Sequence, residues 1–168
     1  MKQNADIQAG ALPQRAGDKP RTTDTNPHTQ LDQIAPVKFQ EKLAAYMFNR
    51  ECVEQRPSII SVPGARGMWI SDACAVNPNR EAFLLEREHA HIHPEYDGSL
   101  HMALPLALVD EAIEKGWAES HPLIKRGLVP KTDVMVYGPR DEDELAVIKY
   151  LVDASFRFAH AETDTPAN

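Results

Sequence analysis

Histidine is the residue type whose placement in this chain invites a chemical reading. There are seven, and five of them (His89, His91, His93, His101 and His121) fall within thirty-three residues. His89, His91 and His93 alternate, so on a strand all three point to one side, about 6.6–6.8 Å from one to the next. Two of them, one His from a paired strand and a loop residue such as His121 can converge on a point at the roughly 2.0–2.1 Å nitrogen–metal distance of a zinc or non-haem iron site. The same rings without a metal make an acid–base pocket, because imidazole titrates near neutrality. The plain alternative is a half-solvated sheet face. Glu88 lies on the opposite side of a regular strand, and only a bulge brings it round. Glu95, close to the turn, is the carboxylate expected beside these rings.

The elements that must position them follow from periodicity and turn chemistry. Pro36 opens a helix predicted to run to about Cys52, with Phe39, Leu43, Tyr46 and Met47 at helical spacing. Gln55-Arg56-Pro57 breaks it. Ile59–Val62 and Met68–Ile70 read as short strands around a Pro63–Gly67 turn. Ala82–His93 is a long extended segment, reversed at Tyr96-Asp97-Gly98 into a strand Ser99–Leu104. A three-residue loop with Gly98 left-handed pairs His93 with His101 and Ile92 with Met102, polar with polar and apolar with apolar. A helix follows over Pro105–Lys115 with Gly116 at its end, then Trp117, a loop with His121, and a strand Val134–Tyr137. Asp141 and Glu144 cap a last helix whose inner stripe is Leu145, Ile148, Leu151 or Val152, Ser155 and Phe156. The expected fold class is α+β: an antiparallel or mixed sheet, mixed being favoured, with helices packed on one face.

Composition sets outer bounds. The 168 residues allow one domain, and 18 Lys and Arg against 25 Asp and Glu give a net charge of -7, which disfavours nucleic acid as partner. No run of apolar residues is long enough to span a membrane, and the start lacks a secretory h-region. Residues 1–33 carry Pro13, Pro20 and Pro27 and no aromatic residue. They are predicted to be a disordered N-terminal arm, with the domain over 34–160 and a frayed C-terminus over 161–168. Cys52 and Cys74 have no metal-ligand spacing; Cys52 is expected to be a helix thiol in a reducing compartment, the cytoplasm. Arg140, between the last strand and the last helix, either braces a carboxylate or binds an anionic ligand oxygen. A sheet edge in so small a domain also suggests a homodimer.

Together, Arg87-Glu88-His89-Ala90-His91-Ile92-His93, Asp97-Gly98-Ser99-Leu100-His101-Met102-Ala103-Leu104, Lys115-Gly116-Trp117, His121-Pro122-Leu123 and Tyr137-Gly138-Pro139-Arg140 resemble the luciferase domain of bioluminescent fungi and its uncharacterised relatives, including bacterial ones. The likeness covers about residues 81–158. It implies an oxygenase acting on a hydroxylated styryl-pyrone. O2 adds to the electron-rich ring, a peroxidic intermediate forms, CO2 leaves and an excited product emits light, with no organic cofactor. It carries over His91, His93, His101, His121, Trp117 and Arg140, and sets His89 aside, since the family has an apolar residue there. The fungal proteins have an N-terminal hydrophobic anchor where this chain has a polar arm, and light emission is not expected as its native role.

The functional expectation is thus a small soluble oxygenase acting with O2 on an enolisable phenol or pyrone. One of His91, His93, His101 or His121 deprotonates the substrate, Arg140 stabilises the enolate or peroxide, and Trp117 and Tyr137 contact the ring. If a metal is present, it is zinc or iron held by His91, His93, His101 and His121. The alternatives are a His-coordinated metal-binding or ligand-sensing domain without catalysis, and a zinc-dependent hydrolase.

Overall fold

A computed structural model describes residue 7 and residues 10–161. Most of the expected frayed C-terminus, and the first residues of the arm, lie outside the described residues. Six strands form one sheet in the order β1 (Val53–Pro57), β2 (Arg66–Ile70), β3 (Glu88–Ile92), β4 (Leu100–Ala103), β6 (Asp133–Val136), β5 (Ala118–Ser120). Every neighbouring pair is antiparallel, so of the two sheet types the antiparallel one is found. The helices are α1 (Val37–Phe48), α2 (Leu106–Glu114) and α3 (Glu142–Ala159). Helix α3 packs across β3 and β4, α1 packs on α3, and α2 lies by β5.

The two faces of the sheet have different chemistry because strand side chains alternate. Ala90, Ile92, Leu100, Met102, Val134 and Val136 face the helices and meet Leu145, Ile148, Leu151 and Val152 of α3 in one buried core. Each large aliphatic side chain buried there contributes about 1.5–3 kcal/mol. The alternate positions His91, His101, Asp133 and Glu119 therefore fall on the other face. Asp141 caps α3 by accepting from the Glu144 N–H at 2.8 Å, and Glu144 accepts from the Arg140 N–H.

Several expectations need correction. Helix α1 ends at Phe48, and β1 follows where a helix break was read; residues 58–64 form turns instead of a strand. The β3–β4 register is two residues from the expected one: His91 lies opposite His101, Ala90 opposite Met102 and Ile92 opposite Leu100. The loop is longer because Pro94 O accepts from both Asp97 N and Gly98 N, starting the turn earlier. Gly98 does take the left-handed conformation, φ +66°, and a Cβ there would meet Gln40 at 2.5 Å. A shift of two preserves the faces, so the His row survives it.

The arm is also different from the expectation. From residue 10 on it is a strap laid against the sheet, with Leu12, Pro13, Arg15, Pro20, His28 and Gln30 buried. It is poor in apolar groups, but its polar groups find buried partners. Arg15 N donates to Lys115 O at 2.9 Å, Gln30 N to Asp97 Oδ1 at 3.2 Å, and Gly138 N to Gln30 Oε1 at 3.1 Å.

Cys52 and Cys74 are joined in a disulfide, with Cα atoms 5.8 Å apart. Cys52 precedes β1 and Cys74 follows β2, so the antiparallel pairing Val53↔Ile70 brings them together. The expected free thiols are thus bonded, and the cysteines supply no argument for a reducing compartment. Closing a 22-residue separation should contribute about 3 kcal/mol. The C52S/C74S variant is expected to lose that amount in urea unfolding, and wild type in strong reductant should match it. Equal stability with and without reductant would contradict this. Among the described residues no helix is long and apolar enough to cross a membrane.

Candidate functional site

On the sheet face away from the helices, five imidazoles meet at the floor of a cavity of about 460 Å³: His28, His91, His93, His101 and His121. His91 and His93 come from β3 and the residue after it, His101 from β4, His121 from the loop after β5, and His28 from the strap. The ring centroids of neighbours lie 5.0–5.3 Å apart. The walls are largely aliphatic, with Ile60, Val62, Leu84, Leu85, Leu123 and Leu128 among them. His89 is not part of the group. It faces α3, where Nδ1 lies 2.9 Å from Ser155 Oγ, and burial away from water drives its pKa down to about 3.

The reason for this split is a bulge. The β2–β3 register runs Met68↔Ala90 and then Trp69↔Glu88, skipping His89. The extra residue reverses the alternation, so Glu88 joins His91. Gly67 lies opposite His91, and a Cβ there would come within 3.2 Å of the Glu88 carboxyl carbon. Glu88 Oε1 lies 2.9 Å from His91 Nδ1 and accepts from Ser58 Oγ at 2.6 Å.

Three buried carboxylates fix three rings. Glu88 holds His91. Asp97 Oδ2 lies 2.5 Å from His93 Nδ1, while its other oxygen accepts from Ser99 N and Oγ. Glu119 Oε1 lies 2.6 Å from His28 Nε2, and the carboxylate also binds Thr22, Lys19 and Tyr137. A carboxylate accepts only, so each contacting ring nitrogen carries the hydrogen. The opposite nitrogens of these rings then present lone pairs toward His101: His91 Nε2 at 3.2 Å and His93 Nε2 at 3.3 Å from Nδ1, and His28 Nδ1 at 3.1 Å from Nε2. His121 is set the other way. Its Nδ1 accepts from the Leu123 N–H at 3.1 Å, which leaves Nε2–H as a donor in the neutral ring.

Burial is the largest influence on His91, His101 and His121. It lowers His91, and it lowers His101 well below the ordinary value together with the four surrounding imidazoles. His121 falls to about 4 through burial, with His28 and His91 adding to it. Burial opposes the charge on Asp97, but hydrogen bonds from His93 and Ser99 hold its carboxyl below the usual range. Glu119 overcomes burial in the same way, through His28, Lys19, Thr22 and Tyr137, and stands at about 2. Asp133 also lines the cavity. Among the described residues its Oδ1 has no hydrogen-bond partner, and burial with the nearby Glu88 charge raises it to about 7.

The expected site residues separate into two groups. His91, His93, His101 and His121 line the cavity; Trp117, Tyr137 and Arg140 do not. Trp117 is buried under the strap and donates Nε1–H to Pro13 O at 2.6 Å. Tyr137 donates to Glu119 at 2.9 Å and so reaches the rings only through it. Arg140 binds Glu144, Gln33 Oε1 and Ala16 O, pinning the strap to the start of α3, which is the bracing role. Glu95 is exposed, and Asp97 stands in its place. His28, Asp97, Glu119 and Asp133 were not expected, and Glu88 only on the condition of a bulge, which is present. A Glu-x-x-His spacing at Glu88 and His91 was the one available signal; His28 had none.

Residues 86–155 match the family described as the luciferase domain. The chain is similar to the luciferase of Armillaria mellea, 33% identical over 142 residues that make up 83% of this chain and 46% of that protein. It is also similar to the luciferase of Neonothopanus nambi, 38% identical over 84 residues, 49% of this chain and 30% of that protein. The chain therefore spans about half the length, or less, of the curated relatives it matches. No solved structure matches it.

Proposed function

We propose that the cavity is the active site of a luciferase-type oxygenase that takes a flat, enolisable phenol or pyrone and O2. The observation that carries the reading is the convergence of five imidazoles, three of them held by buried carboxylates, at the floor of an aliphatic-walled cavity. Similarity to the fungal luciferases supports the same class of chemistry. A cavity of about 460 Å³ suits a one- or two-ring molecule. Its apolar body would lie between Leu84, Leu85, Leu123 and Leu128, with its hydroxyl turned to the rings.

The chemistry asks the cluster for two services. The hydroxyl proton must leave, since the anion is what reacts with O2, and in the metal-free cluster a carboxylate-backed imidazole lone pair of His91, His93 or His28 is placed to accept it. The developing oxygen charge must then be met by a donor, and His121 Nε2–H is set to provide one. The enolate carbon gives an electron pair to O2, a C–O bond forms, and the terminal peroxide oxygen takes up the proton. Carbon is oxidised by two electrons and O2 is reduced to the peroxide level. Arg140, committed to Glu144 and the strap, has no part in this. A bound transition-metal ion would fit the His91, His93 and His101 nitrogens and would supply Lewis acidity to the hydroxyl oxygen.

The test is binding and oxygen uptake with catechol, a hydroxy-substituted pyrone and the methyl ether of each. Hydroxylated probes should bind at least tenfold tighter than their ethers and consume O2, and the H91A/H101A variant should lose at least a hundredfold in uptake. Binding and uptake unchanged in that variant, or ester hydrolysis without O2 use, would overturn the reading.

A further inference from the structure

The hydrogen count of the cluster is one cation short. His91, His93 and His28 each spend their ring hydrogen on a carboxylate, so each aims a lone pair at His101. Neutral His101 has one hydrogen for two faces. On Nδ1 it serves His91 and His93 but leaves Nε2 lone pair to lone pair with His28 Nδ1 at 3.1 Å. On Nε2 it satisfies His28, and three lone pairs are left facing one another: His91 Nε2, His93 Nε2 and His101 Nδ1, at 3.2 and 3.3 Å from the last. Buried lone pairs do not converge without something positive between them.

We propose that His91 Nε2, His93 Nε2 and His101 Nδ1 hold a single divalent transition-metal ion, with a carboxylate behind each ligand. The proposal rests on the oxygenase reading only for the purpose of the pocket. Ligands about 2.0–2.1 Å from a tetrahedral ion lie about 3.3–3.4 Å from each other; His91 Nε2 and His93 Nε2 stand 3.2 and 3.3 Å from His101 Nδ1, and the three residues offer nitrogens all within 4.8 Å of one another. The second layer is complete: Glu88 behind His91, Asp97 behind His93, and Glu119 behind His101 by way of His28. Such partners orient ligating imidazoles and raise their basicity. Three neutral nitrogens suit zinc or iron, and the remaining position opens to the cavity.

A second grouping, His28, His101 and His121, also brings one nitrogen of each ring within 4.8 Å of the others. It is disfavoured because His121 Nδ1 is occupied by the Leu123 N–H, leaving Nε2 protonated. His121 is therefore assigned as a hydrogen-bond donor beside the ion and not as a ligand. This departs from the four-His set expected from the sequence, and it gives the strap a purpose: His28 fixes the tautomer of His101.

The experiment is metal loading of chelator-treated full-length protein with Co²⁺ and Zn²⁺. Stoichiometry is read by elemental analysis, ligand geometry by the visible Co²⁺ spectrum, and affinity by competition. One equivalent should bind with the intense bands of a four- or five-coordinate ion and raise the melting temperature. H91A, H93A and H101A should each lose at least a hundredfold in affinity, E119Q about tenfold, and H121A less than threefold. Circular dichroism separates unfolded variants, and H93Q replaces any alanine variant that does not fold. Less than a tenth of an equivalent in wild type means a proton alone fills the gap, and overturns the proposal. H121A as damaging as H101A overturns the ligand assignment. If wild type takes up no metal yet binds catechol and consumes O2, the metal proposal fails and the oxygenase reading stands. Tight Co²⁺ binding with no O2 uptake gives the reverse.

Discussion

A Glu119→Ala variant is expected to lose about 3–5 kcal/mol of stability and to release the strap. Glu119 sits on β5 with its side chain 11% exposed and accepts from four groups: His28, Thr22, Lys19 and Tyr137. Three of those lie on the strap, so one carboxylate carries most of its attachment to this part of the sheet. Removing one partner of a buried charged network leaves the others uncompensated, which is where losses of this size arise. The pH dependence adds a sign. The folded Glu119 stands at about 2, below its ordinary value of 4.5. Between those values the unfolded chain binds the proton that the folded chain refuses, so stability rises with pH there. The contribution, on the order of 2–3 kcal/mol, is complete above 4.5 and lost as pH falls through 2. Glu119→Gln cannot titrate, so its deficit against wild type should be full at pH 6 and should shrink toward pH 2.5. Urea unfolding at both pH values measures this, with limited proteolysis between residues 10 and 35 reporting release of the strap. A deficit that does not change with pH would contradict the charge argument, and an uncut strap in Glu119→Ala would contradict the anchoring argument.

The His row was legible because alternation is a local property. His91 and His93 need only an extended backbone to share a face, and the Asp97-Gly98 reversal brings His101 beside them. Register was less legible because it depends on how the loop uses its polar groups. Here Pro94 O starts the turn, and the Asp97 carboxylate is drawn inward by Ser99 and His93. The partners of the rings were hidden for two reasons. Glu88 reaches His91 only because one bulge inverts the strand, and bulges leave little trace in a single sequence. His28 lies in a segment whose composition argues for disorder, since composition counts apolar burial and not the buried carboxylates waiting across the sheet. The disulfide would have been legible had Val53–Pro57 been recognised as a strand, because antiparallel β1 and β2 put Cys52 and Cys74 at the same end. Trp117 and Arg140 carry a different lesson. The resemblance placed them at the site, yet here they hold the strap in place and do not line the cavity.

Replacing Asp133 with asparagine should stabilise the protein in base and weaken the site. Asp133 is 3% exposed, and its Oδ1 has no hydrogen-bond partner among the described residues. Burial, with the Glu88 charge adding to it, raises its pKa from 3.8 to about 7. Below 3.8 both states are protonated and nothing is lost. Between 3.8 and 7 the folded chain keeps a proton that the unfolded chain has released, so stability falls as pH rises through this window. Above 7 the full penalty remains, at most about 4 kcal/mol for a shift of this size. Asparagine has nearly the same shape and never ionises. Asp133→Asn should therefore match wild type near pH 4 and exceed it by roughly 2–4 kcal/mol at pH 8. A buried carboxyl kept under such strain at the wall of the cavity is the pattern expected of a group retained for the site's sake. The same variant should lose at least tenfold in catechol binding or O2 uptake, with the largest loss near pH 7, where the carboxyl can both take and give a proton. An equal gain in stability at pH 4 and pH 8 would rule out the raised pKa. A gain confined to high pH with unchanged binding and uptake would show that the carboxyl serves neither.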